Sequence, residues 1–580
     1  MAHLTVDARA RVTALRLVLV LAAVFGAWEI LHADFMADDL IQLGVLEGVS
    51  PAAAWTGPFN LYTISDGDPD HVRLMKDAGI FPWFFDTAFE MRFLRPLSSA
   101  LLAGDHALFG LHPAGYRLHG AMWSLALVAA VGVVLRRALP RRSRVIALLV
   151  FVLSGIHATF CWTAARHILI AAALGFAALA AHLRWREDGW RPGAALGGLA
   201  LVLSLAASEV GLAVVIYLLA YEALGASGPP RVRLWAAAPA LVVVAAYLLV
   251  WRHLGHGASP GTDYLDPLRD TGPFLRELPA RLAVLIGSAV MGGGADIWVL
   301  RPDLRPVLVA AGTVVTLGFA GLLRAAWGEA TTAERHAIRW LGVGAVASAI
   351  PFAGTPIGSR CLLVPFVGGA ALLGVVVEQW WTAWRRRPGL RYRGLGAACA
   401  GLAVIHLGLA PIGRLAIPIL LQRTLADRVA AAARDAELDP TTLPAQMVVI
   451  LVAPDFVVGL HCGSYRLLHR MPMPAAWRVL SWAPGPHRFI RTGSDTLEME
   501  VGGDGIASPT LVPGTDITLH GMQATVLVMG DRGPSRVRFR FDRSVDDPSF
   551  TLLAWRNGRL RRVEAPPVGG AIALPQSIVD

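Results

Sequence analysis

The chain has few charged residues for its length. Asp, Glu, Lys and Arg make up only 16% of its 580 residues, and 55% are hydrophobic, whereas roughly 25% of the residues in soluble globular proteins are charged. This composition excludes an ordinary soluble enzyme. The mean hydropathy is +0.53, and the apolar residues form runs with arginine clusters between them, which is typical of a polytopic membrane protein.

Several other signals are scarce. The four cysteines show no CxxC or metal-ligand spacing, so they indicate neither a zinc site nor a disulfide-dense scaffold. The histidines form no HxH or HExxH pattern, and neither a repeat of fixed period nor a phosphate-cradling glycine loop occurs. The sequence therefore supports no metal site and no certain cofactor, although a divalent metal stays open as an alternative.

The apolar runs predict a helical body with about 11 transmembrane helices. A helix needs about 17 to 25 mainly apolar residues to cross the hydrocarbon core with its backbone hydrogen bonds satisfied internally. The predicted spans are residues 12–31, 116–135, 144–162, 167–184, 193–208, 210–226, 235–252, 305–324, 339–354, 361–378 and 394–412.

The arginines between the spans predict the orientation of the chain. Short loops rich in Lys and Arg stay in the cytoplasm. With the N-terminus in the cytoplasm, the clusters at 136–144, 184–191 and 324–339 and the one that begins at Arg385 all fall inside. We expect the protein to lie in the cell membrane, the inner membrane where there are two. Eleven crossings then place the C-terminus on its extracytoplasmic side. The net charge of +10 is therefore a topology signal, and we expect membrane lipids but no nucleic acid as partners.

Three segments are predicted to face the outside. They are a first external loop at 32–115, a second external loop at 253–304, and a C-terminal domain at 413–580, which leaves 1–412 as the transmembrane domain. The aromatic segment 81–93 favours interfacial helices, and 281–300 favours an external helix resting on the membrane. In the C-terminal domain, 496–501 and 537–541 alternate with period two and 447–452 is apolar, which predicts a β-rich or α+β fold.

An acidic cluster follows the first span directly. Asp34, Asp38 and Asp39 lie just outside the membrane in the predicted topology. Neighbouring carboxylates can act as a general base for a hydroxyl or amide nucleophile, or can bind a cation. The alternative is a solvated helix cap, because Asp is favoured in the first turn of a helix.

Four further charged residues lie at the external ends of predicted spans. They are Arg95, Arg166, Glu209 and Arg360. Each one alone is typical of an interfacial anchor with a snorkelling side chain. Together with the acidic cluster they share one membrane boundary, where carboxylates and guanidinium groups could converge on a phosphate and a leaving sugar.

The ordered set of motifs resembles a family. The acidic pair after the first span is followed by FLRPLSSALLAGDHALFGLHPAGY, CWTAARHILI, LAASEVGLAV and PIGSRCLLVPF. This order is similar to that of GT-C fold glycosyltransferases, especially the bacterial relatives of protein O-mannosyltransferases and of tetratricopeptide-repeat O-mannosyltransferases. The resemblance covers about residues 12–412. It implies transfer of a sugar from a polyprenyl-phosphate carrier to an extracytoplasmic protein, lipid or glycan acceptor, with inversion.

The resemblance also implies roles for single residues. Asp38 or Asp39 matches the general base, and Arg360 matches the arginine that holds the carrier phosphate. Arg95 of the RPL motif and Arg166 of the W…R motif match positions at the same phosphate.

Site-shaping roles are expected for Asp34, for Glu209 of the SKE-like motif and for His167 beside Arg166. The C-terminal domain departs from the family, because relatives with tetratricopeptide repeats end in a helical array, whereas this chain is predicted to end in a β-rich domain.

Two functions of other classes stay open. A membrane transporter or flippase for a lipid-linked or small solute also carries ionisable residues in its spans. However, no pair of broken helices recurs in matching halves of this sequence. A non-catalytic membrane anchor that presents an envelope-binding domain is the other alternative, and it predicts that Asp38 and Asp39 are dispensable.

Overall fold

The computed structural model describes residues 2–32, 34–259, 264–386, 390–503, 505–508 and 510–575. Parts of the predicted second external loop (260–263) and of the C-terminal domain (504, 509 and 576–580) lie outside the described residues. By internal contacts the chain divides into two units. The helical unit comprises Met1–Ala33, Leu94–His256 and Asp263–Leu420, and the β-rich unit comprises Asp34–Phe93, Gly257–Thr262 and Leu421–Asp580.

The helices, in chain order, are α1 Ala2–Leu31, α2 Asp38–Leu46, α3 Pro69–Asp77, α4 Pro96–Phe109, α5 Pro113–Ala138, α6 Arg141–Leu153, α7 Arg166–Asp188, α8 Pro192–Ala207, α9 Gly211–Ala220, α10 Pro230–His253, α11 Thr271–Met291, α12 Ile297–Leu300, α13 Arg305–Ala326, α14 Thr332–Phe352, α15 Leu363–Arg386, α16 Leu390–Ala403, α17 Ala410–Leu421, α18 Arg428–Arg434 and α19 Phe456–Leu468. The strands are β1 Thr63–Asp66, β2 Glu90–Arg92, β3 Gly257–Ala258, β4 Met447–Ile450, β5 Ala476–Val479, β6 His487–Arg491, β7 Thr496–Val501, β8 Asp516–Leu519, β9 Met522–Met529, β10 Pro534–Phe541, β11 Phe550–Arg556, β12 Arg559–Arg562 and β13 Ala571–Leu574.

Every predicted span falls on a helix of the helical unit. Seven stretches of described helix are long and apolar enough to cross a membrane, and the helices 192–207 and 211–225 are apolar but shorter. The predicted class, a multi-pass helical protein with a β-rich C-terminal part, is thereby confirmed. The count of about 11 crossings stays a prediction.

Local sequence signals explain where the helices begin and how closely they pack. A proline occupies the first turn of α4, α5, α8 and α10, where its missing N–H costs nothing. A reciprocal capping box of Thr331 and Glu334 starts α14. Helices α6 and α15 approach so closely that a Cβ on Gly374 would clash with the backbone oxygen of Ser143, which is the small-residue packing expected in membranes.

The predicted external helix at 281–300 has different bounds. Helix α11 begins ten residues earlier, at Thr271, and ends at Met291. Gly292, Gly293 and Gly294 each adopt a positive φ, which a glycine tolerates and which ends the helix. Only the short helix α12 follows before Arg301.

The described residues of the β-rich unit form three sheets. The largest is antiparallel with the order β13-β6-β7-β10-β9-β8. A second sheet, β12-β11-β4-β5, has β4 parallel to both β5 and β11, with α19 between β4 and β5. The third, β1-β2-β3, is built from the two segments predicted to be external loops.

The strands predicted in the tail are confirmed. In β10, Val537, Phe539 and Phe541 are buried while the arginines between them are exposed, as period two requires. All four residues of β4 are buried.

The aromatic segment 81–93 corrects our expectation of interfacial helices. It contains no helix in the structure, which describes all of it, and residues 90–92 form β2. Trp83 and Phe84 are buried in the core of the β-rich unit, where the Trp83 indole Nε1 donates to the Leu480 oxygen at 2.9 Å. The segment is apolar because it fills a protein core. The predicted boundary of the transmembrane domain at residue 412 stays a prediction.

Candidate active site

The acidic pair begins α2 in the β-rich unit, and its two members differ. Asp39 is 1% exposed, and its Oδ2 accepts a hydrogen bond from the Met36 backbone N–H at 3.1 Å. Ala37, which directly precedes Asp38, has φ +49°. This conformation is costly for a residue with a Cβ and often marks functional sites. Asp39 therefore holds a strained turn, whereas Asp38 is only half-buried and presents the more accessible carboxylate.

Asp34 lies at the start of the same segment. It is exposed, and its Oδ1 accepts a hydrogen bond from the Phe35 backbone N–H at 2.7 Å. This contact shapes the backbone that leads into the turn, in keeping with the predicted site-shaping role, which stays a prediction.

Arg95 and Glu209 form a two-pronged ion pair in the helical unit. The Arg95 Nε donates to Glu209 Oε2 at 3.0 Å, and a terminal nitrogen of the guanidinium pairs with Oε1. Arg95 is buried, at 7% exposure, and the Glu209 side chain is 32% exposed. A charge-assisted fork of this kind fixes both side chains and balances their charges.

A hydrogen-bond chain extends this pair to His167. The Ser208 hydroxyl donates to Glu209 Oε2 at 3.1 Å and lies 2.9 Å from His167 Nδ1. Since the hydroxyl has one proton, donation to Glu209 requires His167 to donate from Nδ1. The structure thus brings together Arg95, His167 and Glu209, three of the residues predicted for the site.

Arg166 has a buried carboxylate partner that sequence reasoning missed. One of its terminal nitrogens pairs with Asp105 Oδ2, and the other donates to the Tyr116 oxygen at 3.0 Å. Asp105 Oδ1 lies 2.7 Å from His119 Nδ1, and both Arg166 and Asp105 are 3% exposed. Asp105 could have been found by its signal, an acid within the apolar stretch that precedes the second predicted span.

Arg360 differs from the other two arginines. It lies in the 3-10 turn Ser359–Leu362 that precedes α15, is half-buried, and donates to the Pro356 oxygen at 3.3 Å. Within the part of the chain that the structure describes, no carboxylate forms an ion pair with it. Its positive charge is therefore available to an anion.

Asp296 anchors the turn that carries Arg360, and sequence reasoning did not assign it to the site. Its Oδ1 accepts from the Ser359 backbone N–H at 3.0 Å, and its Oδ2 accepts from the Ser359 hydroxyl. Gly358 leaves room for this contact, since a Cβ there would lie 2.8 Å from Asp296 Oδ1. No sequence pattern links two residues 63 positions apart, so only the fold reveals this partner.

His167 connects the two arginine positions. It lies within Coulombic range of both Arg95 and Arg360. The helical unit therefore gathers Arg95, His167, Glu209 and Arg360 in one region, with Arg360 as the member whose charge is unbalanced. Among the described residues, no group of three His, Cys, Asp or Glu side chains is arranged to hold a metal ion.

Comparisons with known proteins give structural neighbours only. No protein-family profile and no curated protein sequence matches the chain. Among solved structures, the chain is similar to ArnT from Cupriavidus metallidurans bound to undecaprenyl phosphate, with 14% identity, coverage of 79% of this chain and 85% of that one, and a TM-score of 0.42. It is also similar to the archaeal oligosaccharyltransferase AglB from Archaeoglobus fulgidus in complex with an inhibitory peptide and a dolichol-phosphate, with 12% identity, coverage of 79% and 64%, and a TM-score of 0.40.

Both neighbours are proteins of the GT-C class, as the motifs led us to expect. At identities of 12–14% and TM-scores of 0.40–0.42, these likenesses carry no argument for an activity of this chain.

Proposed function

We propose that this protein is a glycosyltransferase that moves a sugar from a polyprenyl-phosphate carrier to an extracytoplasmic protein, lipid or glycan acceptor. The observation that carries the proposal is Arg360, a half-buried guanidinium without a carboxylate partner among the described residues. Keeping such a cation at the end of an apolar helix is costly. A bound lipid-linked phosphate would offset that cost by supplying the missing negative charge.

The chemistry needs only a few groups. The acceptor oxygen forms a bond to the anomeric carbon of the sugar while the bond from that carbon to the phosphate oxygen breaks. The electron pair of the broken bond stays on the carrier phosphate, whose charge grows, and the acceptor proton passes to a base. Arg360 stabilises the departing phosphate, and a carboxylate accepts the proton.

Asp38 is the carboxylate that suits the role of base. Asp39 already accepts a hydrogen bond from the backbone N–H of Met36 and is buried, whereas Asp38 is half-buried. We assign the proton transfer to Asp38 and the shape of the turn to Asp39. That Asp38 serves the same substrate as Arg360 rests on the predicted topology, in which both lie at the external ends of spans.

The other two arginines receive positioning roles. The charge of Arg95 is balanced by Glu209, and that of Arg166 by Asp105. A balanced guanidinium attracts a phosphate less strongly than one without a partner. We therefore propose that Arg95 and Arg166 order the helix ends around the donor, while Arg360 provides the unbalanced charge.

Binding of bare undecaprenyl phosphate to the purified full-length protein in detergent tests the role of Arg360. Loss of a charge-assisted contact is worth about 1.5–3 kcal/mol, so Arg360→Gln should bind roughly 10- to 150-fold more weakly. Arg142→Gln is the matched control, because Arg142 is 80% exposed and its ion pair with Glu378 is long, at 3.4 Å. Equal affinity of wild type and Arg360→Gln would refute the assignment.

A further inference from the structure

A buried tyrosine hydroxyl near the Arg95–Glu209 pair has no role in the mechanism above. Tyr247 belongs to α10, and its side chain packs against the core of the helical unit. Its hydroxyl is enclosed and makes no hydrogen bond with the described residues. Leaving a buried hydroxyl without a hydrogen bond is costly, and buried polar groups in native proteins nearly always have partners.

The surroundings of Tyr247 are polar but electrically balanced. Helix α10 packs against α8 and α9, and Glu209 lies in the short connection between those two helices. Glu209 and Arg95 lie within Coulombic range of the Tyr247 hydroxyl, and their charges neutralise each other in a two-pronged pair. The Glu209 side chain is 32% exposed, so this cluster reaches the surface of the helical unit. Tyr247 is itself only partly buried, so a change of rotamer can bring its hydroxyl toward the surface.

A balanced polar cluster is a poor phosphate site and a good site for neutral hydroxyl groups. A carboxylate repels a phosphate but accepts hydrogen bonds from sugar hydroxyls, and a phenol donates to them. Arg360, in contrast, has the unbalanced charge that a phosphate needs. His167 lies within Coulombic range of both Arg95 and Arg360. The electrically balanced cluster and the unbalanced charge of Arg360 therefore lie in the same region of the helical unit.

From this division we infer that Tyr247 and Glu209 form a subsite for the sugar of the donor, and that the sugar is an uncharged, hydroxyl-rich pyranose. The inference rests on the proposed function, since it assigns a second part of the same substrate. Tyr247 contacts a sugar hydroxyl and selects for the sugar, while Arg360 binds the phosphate whether or not a sugar is attached.

Two kinds of ligand, with and without a sugar, separate these roles in one experiment. Affinities of the full-length protein are measured for bare undecaprenyl phosphate and for undecaprenyl-phosphate mannose, glucose and galactose. In wild type, at least one of the hexose donors should bind more tightly than the bare phosphate. In Tyr247→Phe, the affinity for that donor should fall about 2- to 13-fold, as for the loss of one neutral hydrogen bond, while the affinity for bare phosphate stays unchanged.

Glu209→Gln is an independent test of the same subsite. It removes the charge that balances Arg95, so affinity for the hexose donor should fall while affinity for bare undecaprenyl phosphate rises. A structural role of Glu209 alone would not move the two affinities in opposite directions.

Tyr217→Phe is the matched control for loss of a tyrosine hydroxyl. The Tyr217 hydroxyl donates to the Val364 oxygen at 3.1 Å and accepts from the Gly368 backbone N–H at 3.0 Å. Its loss should lower Tm without changing the preference for sugar, whereas Tyr247→Phe should leave Tm unchanged or raise it.

Each other result overturns a defined claim. Equal binding of the hexose donor by Tyr247→Phe and wild type refutes the contact. A parallel loss for bare phosphate makes Tyr247 a phosphate ligand and refutes the sugar subsite, as does a wild type that prefers none of the three hexoses. A wild type that does not bind undecaprenyl phosphate at all refutes the proposed function instead.

Discussion

The acidic pair makes a prediction in which each residue controls a different property. Asp38→Asn should remove the base and reduce transfer of labelled sugar about 10²- to 10⁴-fold, the usual contribution of general-base catalysis. The fold should be unaffected, because Asp38 is half-buried and Asn keeps its shape. Asp39→Ala should instead lose stability, because it leaves the Met36 N–H, now paired with Asp39 Oδ2 at 3.1 Å, without that acceptor.

The size of the stability loss follows from that contact. Leaving a buried donor unsatisfied costs about 1–3 kcal/mol, and the strained φ of +49° at Ala37 loses one of the contacts that hold it. For a folding unit of 150–250 residues, each kcal/mol shifts Tm by about 2–4 °C. Asp39→Ala should therefore melt roughly 2–12 °C lower than wild type.

The assay pairs thermal unfolding of the purified protein with transfer of radiolabelled sugar in membranes, normalised to protein abundance. Asp39→Asn is the conservative control, since its side-chain oxygen can still accept from the Met36 N–H, and it should retain most of the stability. If Asp38→Asn transfers sugar at the wild-type rate, the assignment of the base is wrong. If Asp39→Ala melts at the wild-type temperature, the role assigned to the turn is wrong.

Three further variants test other parts of the structure. Burial lowers the pKa of Lys76 to about 8, so between pH 8 and about 10.5 the unfolded chain binds more protons than the folded one, and the unfolding free energy should rise with pH by up to roughly 3 kcal/mol. Lys76→Met should abolish that rise in denaturant titrations across this range. Asp105→Asn should destabilise the helical unit by about 3–5 kcal/mol because it leaves the buried charge of Arg166 unpaired, and an unchanged Tm would contradict the ion pair. Gly374→Ala should lower the unfolding free energy by about 1–3 kcal/mol, because the added methyl group pushes α6 away from α15, and Tm should fall accordingly. Gly318→Ala is the control and should leave Tm unchanged, because no described atom lies within 4 Å of the added methyl group.

The parts of the fold that follow from periodicity could be predicted from the sequence. Twenty-residue apolar runs located the helices, because a membrane span must satisfy its backbone internally. The alternation of Val537, Phe539 and Phe541 located β10. These signals are local, and one sequence is enough to read them.

The contacts that define the candidate site are not local. Arg95 and Glu209 are 114 positions apart, and Ser359 and Asp296 are 63 apart. Motif order could nominate Arg95, Glu209 and Arg360, but it could not show which arginine lacks a carboxylate partner among the described residues.

The same limit explains the error at 81–93. Alternating aromatic and polar residues suit an interfacial helix as well as a buried turn. The Trp83 indole donates its hydrogen bond to the backbone oxygen of Leu480, 397 positions away, and no local sequence pattern predicts such a contact.

The central claim is that the protein consumes a polyprenyl-phosphate sugar, and a deletion strain tests it most directly. Mass analysis of its lipid extract and envelope glycans should show a polyprenyl-phosphate sugar that accumulates and a glycan that loses the same sugar. The wild-type gene and Arg142→Gln should reverse both changes, whereas Asp38→Asn and Arg360→Gln should reverse neither. Unchanged carrier lipids and glycans in the deletion strain, or full rescue by Asp38→Asn, would contradict the account.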